Sequence, residues 1–262
     1  MANMTSSAPA AVISAELASA QIEELATLIE RYRDDPRQQV KKACDRAARR
    51  LEKEHREQER VREMYKQMVE LGGNGIVVGV DEVGRGSVAG PLTVCAVCLP
   101  AEPIIWGIND SKQLTPARRE LLAVKIADVA TAVGICHIAP EVIDEIGMAA
   151  ALRRAVAGAV EDTGLVPDCV LMDGNPLGAV PRERNVVHGD AHVACIAAAS
   201  IVAKVTRDEM MAELDAEYPG YHFAQSKGYA SAEHIQAIKD QGLSPVHRVS
   251  FCGNFLETET LF

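Results

Sequence analysis

The chain has 262 residues, of which 48% are hydrophobic and 24% charged, and its formal net charge at pH 7 is -10. This composition is typical of a globular protein with a packed core and excludes a disordered or fibrous chain. The negative balance argues against a protein that coats nucleic acid through bulk electrostatics, but it allows a local basic groove or acidic groups that reach phosphates through metal ions.

The distribution of apolar residues and cysteines bears on the compartment. No apolar run reaches the roughly 18 residues that a membrane span needs, and the first twenty residues lack the pattern of a secretory signal. We therefore expect a cytoplasmic protein. The seven cysteines are scattered through apolar segments, which predicts buried free thiols. Cys95 and Cys98 lie three apart in a predicted strand and should face opposite ways, so a shared zinc ion is not expected.

Residues 1–72 are predicted to form an N-terminal helical extension. The stretch from about residue 14 to 70 is rich in helix formers, and its acidic and basic side chains lie three and four residues apart. Asp34-Asp35-Pro36 should divide it into two helices, because proline disfavours helical geometry in the residue before it. The second helix has a thin apolar stripe, which favours a solvated surface helix; nucleic-acid binding is the alternative.

Residues 73–262 are predicted to form an α/β domain. Five apolar segments predict strands, in chain order "NGIVVGVDEV", "PLTVCAVCLP", "VGICHIAP", "DCVLMDG" and "ERNVVHGD". The predicted helices are one capped by Thr115 with Pro116 at its first position, one or two ending at Gly164, and a long one from about Ala191 to Tyr218. Two hairpin-like strands followed by strand-helix alternation indicate a mixed central sheet flanked by helices.

Three of the predicted strands end in acidic residues. Asp81 and Glu82 follow "VVGV", Asp173 follows "CVLM", and Asp190 follows "VVHG". Strand ends of α/β sheets are where binding sites form. Carboxylates gathered there would repel one another unless cations lay between them, and oxygen ligands without His or Cys suit Mg²⁺ or Mn²⁺. A pair of such ions about 4 Å apart serves in-line phosphoryl displacement.

The glycines after the first strand allow two interpretations. If the strand stops at the paired acids, a turn at Gly84 brings both carboxylates to shared ions, although they would face opposite ways on a regular strand. Alternatively, Gly84, Gly86 and Gly90 would form a dinucleotide-binding loop. Their spacing is G-x-G-x-x-x-G, and Pro91 interrupts the helix that should follow, so we favour the turn.

Six ordered blocks carry a family resemblance. They are "GVDEVGRGSVAGP", "NDSKQLT", "LMDG", "HGDAHVACIAAASIVAKVTRD", "SKGYASAEH" and "SPVHRVSF", and they cover roughly Gly75 to Phe251. In this order they resemble the signature blocks of bacterial ribonuclease HII, the type 2 ribonuclease H, and six ordered blocks are far more specific than one short motif. The helical extension with its "DDPR" element is also similar to that of some Gram-positive members.

The resemblance implies the ribonuclease H-like fold and an endonuclease that hydrolyses the RNA strand of RNA-DNA hybrids. It also implies cleavage 5′ to single ribonucleotides in duplex DNA, as in DNA replication and ribonucleotide excision repair. The four metal-binding acids of the family fall on Asp81, Glu82, Asp173 and Asp190. Mg²⁺ or Mn²⁺ ions held by these acids activate a water in the family, and a 3′-hydroxyl and a 5′-phosphate remain.

The resemblance also implies substrate contacts. The loop Gly84-Arg85-Gly86 matches the element that reads the 2′-hydroxyl, and glycines let backbone groups approach a sugar closely. Tyr229 in "KGY" matches the tyrosine that stacks on the deoxyribose after the ribonucleotide, where a flat ring fits an apolar sugar face. A plain tight turn and a surface-filling tyrosine are the alternatives.

Three further residues have more than one candidate role. Lys112 and Lys227 are candidate phosphate contacts, with solvated surface lysines as the alternative. Asp190 could also cap the helix that is predicted to start at Ala191, since capping would fix the direction of its carboxylate.

The sequence departs from the family pattern next to the four acids. His188 and His192 stand where lysines are frequent, Val193 and Cys195 where serines are, and Ser226 where a His often precedes "KGY". These departures concern substrate contacts rather than the acids themselves.

The chain ends in "ETETLF", and Leu261-Phe262 is similar to the end of peptides that dock into bacterial sliding clamps. No Gln stands at the expected upstream place, and a frayed terminus is the alternative. We expect a monomer. The second functional hypothesis is a non-catalytic nucleic-acid-binding protein that uses the same groove; intact acids at all four positions favour the enzyme.

Overall fold

The computed structural model describes residues 8–255, and the chain forms two compact units that divide between Arg60 and Val61. The first unit contains α1 (Ala10–Ser19), α2 (Ile22–Tyr32) and the beginning of α3 (Gln38–Gly72). The predicted break at Asp34-Asp35-Pro36 is confirmed. The prediction of two helices was wrong, because a further break at Ala20 and Gln21 separates α1 from α2.

Side chains from the three helices make the core of the first unit. They are Ile13, Leu17, Leu25, Leu28, Tyr32, Val40, Ala43 and Ala47. The turn between α2 and α3 is tied by Asp35, which accepts hydrogen bonds from the Arg37 side chain; these bonds lower the pKa of Asp35 to about 2. The Arg50 guanidinium donates to the carbonyl oxygens of Ala18 and Ala20, which joins α3 to the end of α1.

The second unit contains a five-stranded mixed sheet. Its strands are β1 (Val77–Val83), β2 (Leu92–Cys98), β3 (Ala132–Ile138), β4 (Cys169–Asp173) and β5 (Glu183–Val186). Their order across the sheet is β3-β2-β1-β4-β5, in which β1–β2 and β2–β3 are antiparallel and β1–β4 and β4–β5 are parallel. The predicted mixed sheet is therefore confirmed.

Helices cover both faces of this sheet. The helices after α3 are α4 (Pro116–Val129), α5 (Pro140–Ile146), α6 (Met148–Asp162), α7 (Gly189–His192), α8 (Ala194–Glu217), α9 (Phe223–Ser226) and α10 (Ala232–Gln241), of which α8 packs on one face of the sheet and α6 on the other. Thr115 caps α4 as predicted, because its hydroxyl accepts from the Arg118 N–H at 3.3 Å. No helix within residues 8–255 is long and apolar enough to cross a membrane.

The two faces of the sheet belong to different cores. Cys95 and Val97 lie in the core that contains α8, whereas Val94 and Cys98 lie in the core that contains α6. Cys95 and Cys98 therefore face opposite ways, as predicted, and all seven cysteines are free thiols. On β1, a Cβ added at Gly79 would lie 2.3 Å from the carbonyl carbon of Cys195, so α8 packs directly on the strand backbone.

The last turns of α3 belong to the core of the second unit. Val61, Met64, Tyr65 and Met68 are buried there, and the Tyr65 hydroxyl accepts from the Ile105 N–H at 3.0 Å. The predicted domain boundary at residue 72 coincides with the end of α3, whereas the two compact units divide twelve residues earlier.

Truncation tests this assignment of the last turns of α3. Removal of residues 1–60 keeps the four buried side chains, while removal of residues 1–70 deletes them all. Each deletion of a large core side chain costs about 2–5 kcal/mol. We therefore expect the protein without residues 1–70 to be unfolded at 25 °C by circular dichroism, and the protein without residues 1–60 to be folded. In the full chain, Tyr65→Ala should lower Tm while the exposed neighbour Lys66→Ala does not. Equal melting of the two truncated proteins would contradict the assignment.

Candidate active site

Asp81 and Glu82 lie inside β1 rather than after its end. The antiparallel ladder pairs Asp81 with Cys95, Glu82 with Val94 and still Val83 with Thr93. The prediction that the strand stops at these acids was therefore wrong, and the turn at Gly84, with φ of 82°, comes after both. As neighbours on a regular strand, Asp81 faces α8 and Glu82 faces the opposite side of the sheet.

The parallel pairing of β1 with β4 brings Asp81 and Asp173 close together. Val80 pairs with Met172, so the two aspartates are the next residues on adjacent strands. Asp173 ends β4, as predicted, and its Oδ1 accepts from the Gly189 N–H at 2.7 Å. This bond connects β4 to α7, which carries Asp190.

Asp190 lies in the four-residue helix α7 and does not cap the long helix. That helix, α8, begins at Ala194 after Val193, and no side chain caps it. The predicted capping role of Asp190 was therefore wrong. Asp190 is buried, and its Oδ2 lies 3.8 Å from the Lys112 Nζ.

The pKa values of three acids are raised. Burial and then the charge of Glu82 hold the pKa of Asp81 well above its usual range, against an opposing hydrogen bond with Ser200. Burial raises the pKa of Glu82, with Arg85 opposing and the charge of Asp173 adding to the rise. Burial, followed by the charges of Asp110 and Asp173, raises the pKa of Asp190. The negative charges of the acids therefore act on one another, and nearby positive charges of the folded chain compensate them only in part.

Two nearby cations supply that partial compensation. The Arg85 Nη1 atom lies 3.5 Å from Glu82 Oε1. Burial acts to lower the pKa of Lys112, but the combined charges of Asp110, Asp190, Asp81 and Asp173 outweigh it and raise this pKa. The Lys112 side chain is 79% exposed, so it can move toward another anion.

The donor chemistry of the four acids fits a hard divalent cation, because all the donors are carboxylate oxygens, and a cation would lower the raised pKa values of Asp81, Glu82 and Asp190. Within residues 8–255, however, no three His, Cys, Asp or Glu side chains are arranged closely enough to hold one ion. The four acids thus share an edge of the sheet without forming a closed set of ligands.

Two buried arginines hold the loop after β1. No role was predicted for either of them from the sequence. Arg207 donates to the carbonyl oxygens of Pro91, Ala89 and Lys227 and to the hydroxyl of Ser87, over 2.7–3.1 Å. Arg248 donates to the carbonyl oxygens of Gly90 and Arg85. A Cβ at Gly84 would lie 2.2 Å from the Arg207 Nε, so only glycine fits there. The sequence feature that could have pointed to these arginines is their position in "KVTRD" and "SPVHR", inside two of the blocks that carry the family resemblance.

The same interactions bring Tyr229 and Lys227 to the Gly84-Arg85-Gly86 loop. The Gly228 carbonyl accepts from the N–H groups of Val88 and Ala89 at 2.8 and 3.1 Å. The Tyr229 side chain is 41% exposed, and its ring centroid lies 5.8 Å from the Arg207 guanidinium carbon. Lys227 Nζ donates to the Asp208 carbonyl at 3.4 Å, so this amine has a partner within the chain.

A pair of buried histidines holds the backbone of Tyr229. His247 Nδ1 accepts from the Ser244 N–H at 2.9 Å, the two Nε2 atoms of His247 and His234 lie 3.0 Å apart, and His234 Nδ1 lies 2.9 Å from the Tyr229 carbonyl oxygen. Only one arrangement of neutral tautomers satisfies this series: His247 donates to His234, which donates to Tyr229. Burial lowers the pKa of both rings, that of His247 to about 4 with repulsion by a protonated His234 as the second cause, so both rings are neutral at pH 7.

The residues that depart from the family pattern occupy ordinary structural positions. His188 has a left-handed backbone with φ of 55° and precedes α7, while His192 ends α7. Cys195 is fully buried under the sheet. The Ser226 hydroxyl accepts from the Gly228 N–H at 3.2 Å and so stabilises the turn before Tyr229.

Comparison with known proteins places this chain in a family. The family model of ribonuclease HII matches residues 78–254, and that of the ribonuclease HII N-terminal domain matches residues 10–67. The chain is similar to the ribonuclease HII of Lachnoclostridium phytofermentans, with 44% identity over 86% of this chain and 89% of that protein. The ribonuclease HII of Acetivibrio thermocellus is 47% identical over 70% and 72%.

A solved structure agrees with these relatives. The crystal structure of ribonuclease H2 from Pyrococcus horikoshii OT3 has a TM-score of 0.59 and 27% identity, over 70% of this chain and 99% of that one. The match supports the expected ribonuclease H-like fold.

The raised pKa of Asp81 predicts that its charge destabilises the metal-free protein. The folded state holds this proton in a pH range where the unfolded chain has released it, so stability falls as pH rises above the usual aspartate pKa of about 3.9. In EDTA at pH 7, we expect Asp81→Asn to raise Tm by at least about 2 °C, or about 1 kcal/mol. The gain should vanish toward pH 4. Glu209→Gln, at an exposed position of α8, is the control; a lower Tm for Asp81→Asn would contradict the argument.

Proposed function

The chain belongs to the ribonuclease HII family and is a nuclease, and on that premise we propose that it cuts RNA-DNA hybrids and DNA-embedded single ribonucleotides. The proposed cut lies 5′ to the ribonucleotide and leaves a 3′-hydroxyl and a 5′-phosphate. One observation carries the proposal: the electrostatically coupled acids Asp81, Glu82, Asp173 and Asp190 lie on and beside two adjacent strands, and β1 leads directly into the Gly84-Arg85-Gly86 loop.

The four acids would hold Mg²⁺ or Mn²⁺. The chemistry that such ions would supply when bound is activation of a water for in-line attack and stabilisation of charge on the leaving oxygen. The chain's own contribution is the desolvated position of Asp81 against α8 and the placement of Asp173 by the Gly189 N–H. Both fix carboxylate oxygens before any cation arrives.

Recognition of the sugar falls to the loop and the tyrosine. Arg207 and Arg248 hold the carbonyl groups of the loop, so the Gly84-Arg85-Gly86 backbone is fixed for contact with a 2′-hydroxyl. The exposed ring of Tyr229 is available to stack on the next deoxyribose, and its backbone is fixed by His234.

The two lysines differ as phosphate contacts. The exposed amine of Lys112 can leave Asp190 for a phosphate, whereas that of Lys227 has a backbone partner. Lys112 is therefore the better supported of the two.

The proposal also covers the compartment, the oligomeric state and a sliding-clamp contact. A cytoplasmic, monomeric enzyme fits the proposed role. The clamp contact through Leu261-Phe262 lies outside the described residues. The alternative of a non-catalytic binding protein is disfavoured, because the relatives of this chain are ribonucleases HII and all four acids are present in its sequence.

A labelled DNA duplex with one ribonucleotide tests the proposal. With Mg²⁺ or Mn²⁺ we expect a single cut on its 5′ side, and EDTA should abolish it. Asp81→Asn should reduce kcat at least about 100-fold, because a buried ligand of the ion is lost. Glu209→Gln should retain wild-type activity. Binding of the duplex without cleavage under every metal condition would favour the non-catalytic alternative.

Substitution of Tyr229 tests recognition at the junction. Loss of stacking costs about 1–3 kcal/mol, so Tyr229→Ala should lower kcat/KM at a single ribonucleotide by about 5- to 150-fold. Tyr229→Phe keeps the ring and should stay near the wild type. Stabilisation by the metal, measured as the shift of Tm on adding Mn²⁺, should be the same in all three proteins. If Tyr229→Ala lost that shift too, the ring would be structural.

A further inference from the structure

Helix α3 carries a row of basic side chains within the first unit. The row consists of Lys42, Arg46, Arg49, Lys53 and Arg56, and all five are exposed. Their spacing of four, three, four and three residues puts them within an arc of about 80° on a helix of 3.6 residues per turn. No acidic residue of this part of α3 falls within that arc. We call these five residues the α3 basic stripe.

The stripe is only slightly neutralised by neighbouring acids. Farther along α3, cations pair with carboxylates one turn away, as Arg60 does with Glu57 at 2.6 Å and Lys66 with Glu63 at 3.2 Å. In the stripe, Arg56 pairs with Glu52 at 3.0 Å. Lys42, Arg46, Arg49 and Lys53 make no ion pair with any residue between 8 and 255. A helix that needed only solubility would interleave the two signs, as the later turns do.

The direction of the stripe is fixed by the opposite face of α3. Val40, Ala43 and Ala47 on that face are buried in the core of the first unit. Arg50, beside the stripe, is held by carbonyl groups at the end of α1. The helix therefore cannot rotate, and the five cations stay together on the surface. Because the helix is already fixed, binding of an anion has to order only the ends of these five side chains.

The shape of the stripe favours a linear polyanion. Lys42 and Arg56 are fourteen residues apart, or about 21 Å along a helix. Duplex nucleic acid presents phosphates on a comparable scale, one charge per roughly 3.4 Å of axis on each strand. Protein interfaces usually have an apolar or aromatic centre, whereas no large hydrophobic side chain is exposed between residues 38 and 60. The chain as a whole carries a charge of -10, so attraction to a polyanion needs such a local concentration of cations.

We propose that the α3 basic stripe binds the phosphate backbone of duplex nucleic acid, independently of base sequence and of any ribonucleotide. The stripe would give the first unit a role in holding the duplex. The choice of a duplex as the partner rests on the proposed function. Binding itself requires neither cleavage nor a divalent ion. It therefore can be measured apart from catalysis.

Binding of a plain DNA duplex by the full chain tests the proposal. Fluorescence anisotropy in EDTA, from 50 to 300 mM KCl, gives Kd and its dependence on salt. Each phosphate contact contributes about 0.9 to the slope of log Kd against log salt concentration. Arg46→Gln/Arg49→Gln should lower this slope by roughly 2 and raise Kd at 50 mM KCl at least about tenfold.

The control removes two cations from the same unit but outside the stripe. Arg33→Gln/Lys41→Gln gives the same net charge, and both of its positions are exposed. Its slope and Kd should match the wild type. Equal weakening by both double variants, or no weakening by either, would overturn the proposal, because net charge or another surface would then explain the binding. Melting curves check that both variants are folded.

Two further measurements separate the possible failures. If polyglutamate displaced the labelled duplex as well as unlabelled duplex does at equal charge, the stripe would bind any polyanion and the choice of nucleic acid would be wrong. Cleavage of a ribonucleotide-containing duplex is followed in parallel. A wild type that binds the duplex with the expected slope but never cleaves would overturn the proposed function and leave the stripe intact. If the wild type cleaves normally but Arg46→Gln/Arg49→Gln leaves the salt slope of binding unchanged, the stripe proposal is overturned and the proposed function stands.

Discussion

The close packing of α8 on β1 is the constraint on which the site depends. At Gly79 the two backbones are so close that no side chain fits between them. Two residues later on the same face lies Asp81, from which this packing excludes water, and Ser200 of α8 reaches its carboxylate. The desolvation that raises the pKa of Asp81 also weakens the screening of its attraction to a cation. The contact between α8 and β1 therefore sets both the packing on this face of the sheet and the desolvation of Asp81.

The second buried charge arrangement has the opposite sign. Arg207 and Arg248 use carbonyl and hydroxyl oxygens as partners, and burial lowers both pKa values, that of Arg248 to about 10 with the added effect of Arg207. Neutral partners satisfy the hydrogen bonds of a guanidinium but do not cancel its charge. The loop that follows β1 is thus fixed in shape and remains electropositive, which suits the sugar contact that we propose for its Gly84-Arg85-Gly86 backbone.

Much of the fold could be predicted from local patterns, and the errors have physical causes. The five strands and Thr115-capped α4 follow from apolar periodicity and capping chemistry. The length of β1 does not, because Asp81 and Glu82 look like turn residues and only pairing with β2 keeps them in the strand. The break at Ala20 and Gln21 contains neither proline nor glycine. The histidine pair and the two buried arginines depend on contacts between distant segments, so the sequence indicated their presence but not their partners.

The acidic edge and the proposed basic stripe respond differently to salt. Buried charges such as Asp81 are weakly screened, so their interactions persist at physiological ionic strength, where the Debye length is about 8 Å. The exposed cations of α3 are fully open to screening. Duplex binding through the stripe would therefore weaken as salt rises, while the affinity of the buried acids for a cation would change little. Ionic strength would thus separate the proposed retention of the duplex from the proposed chemistry at the acids.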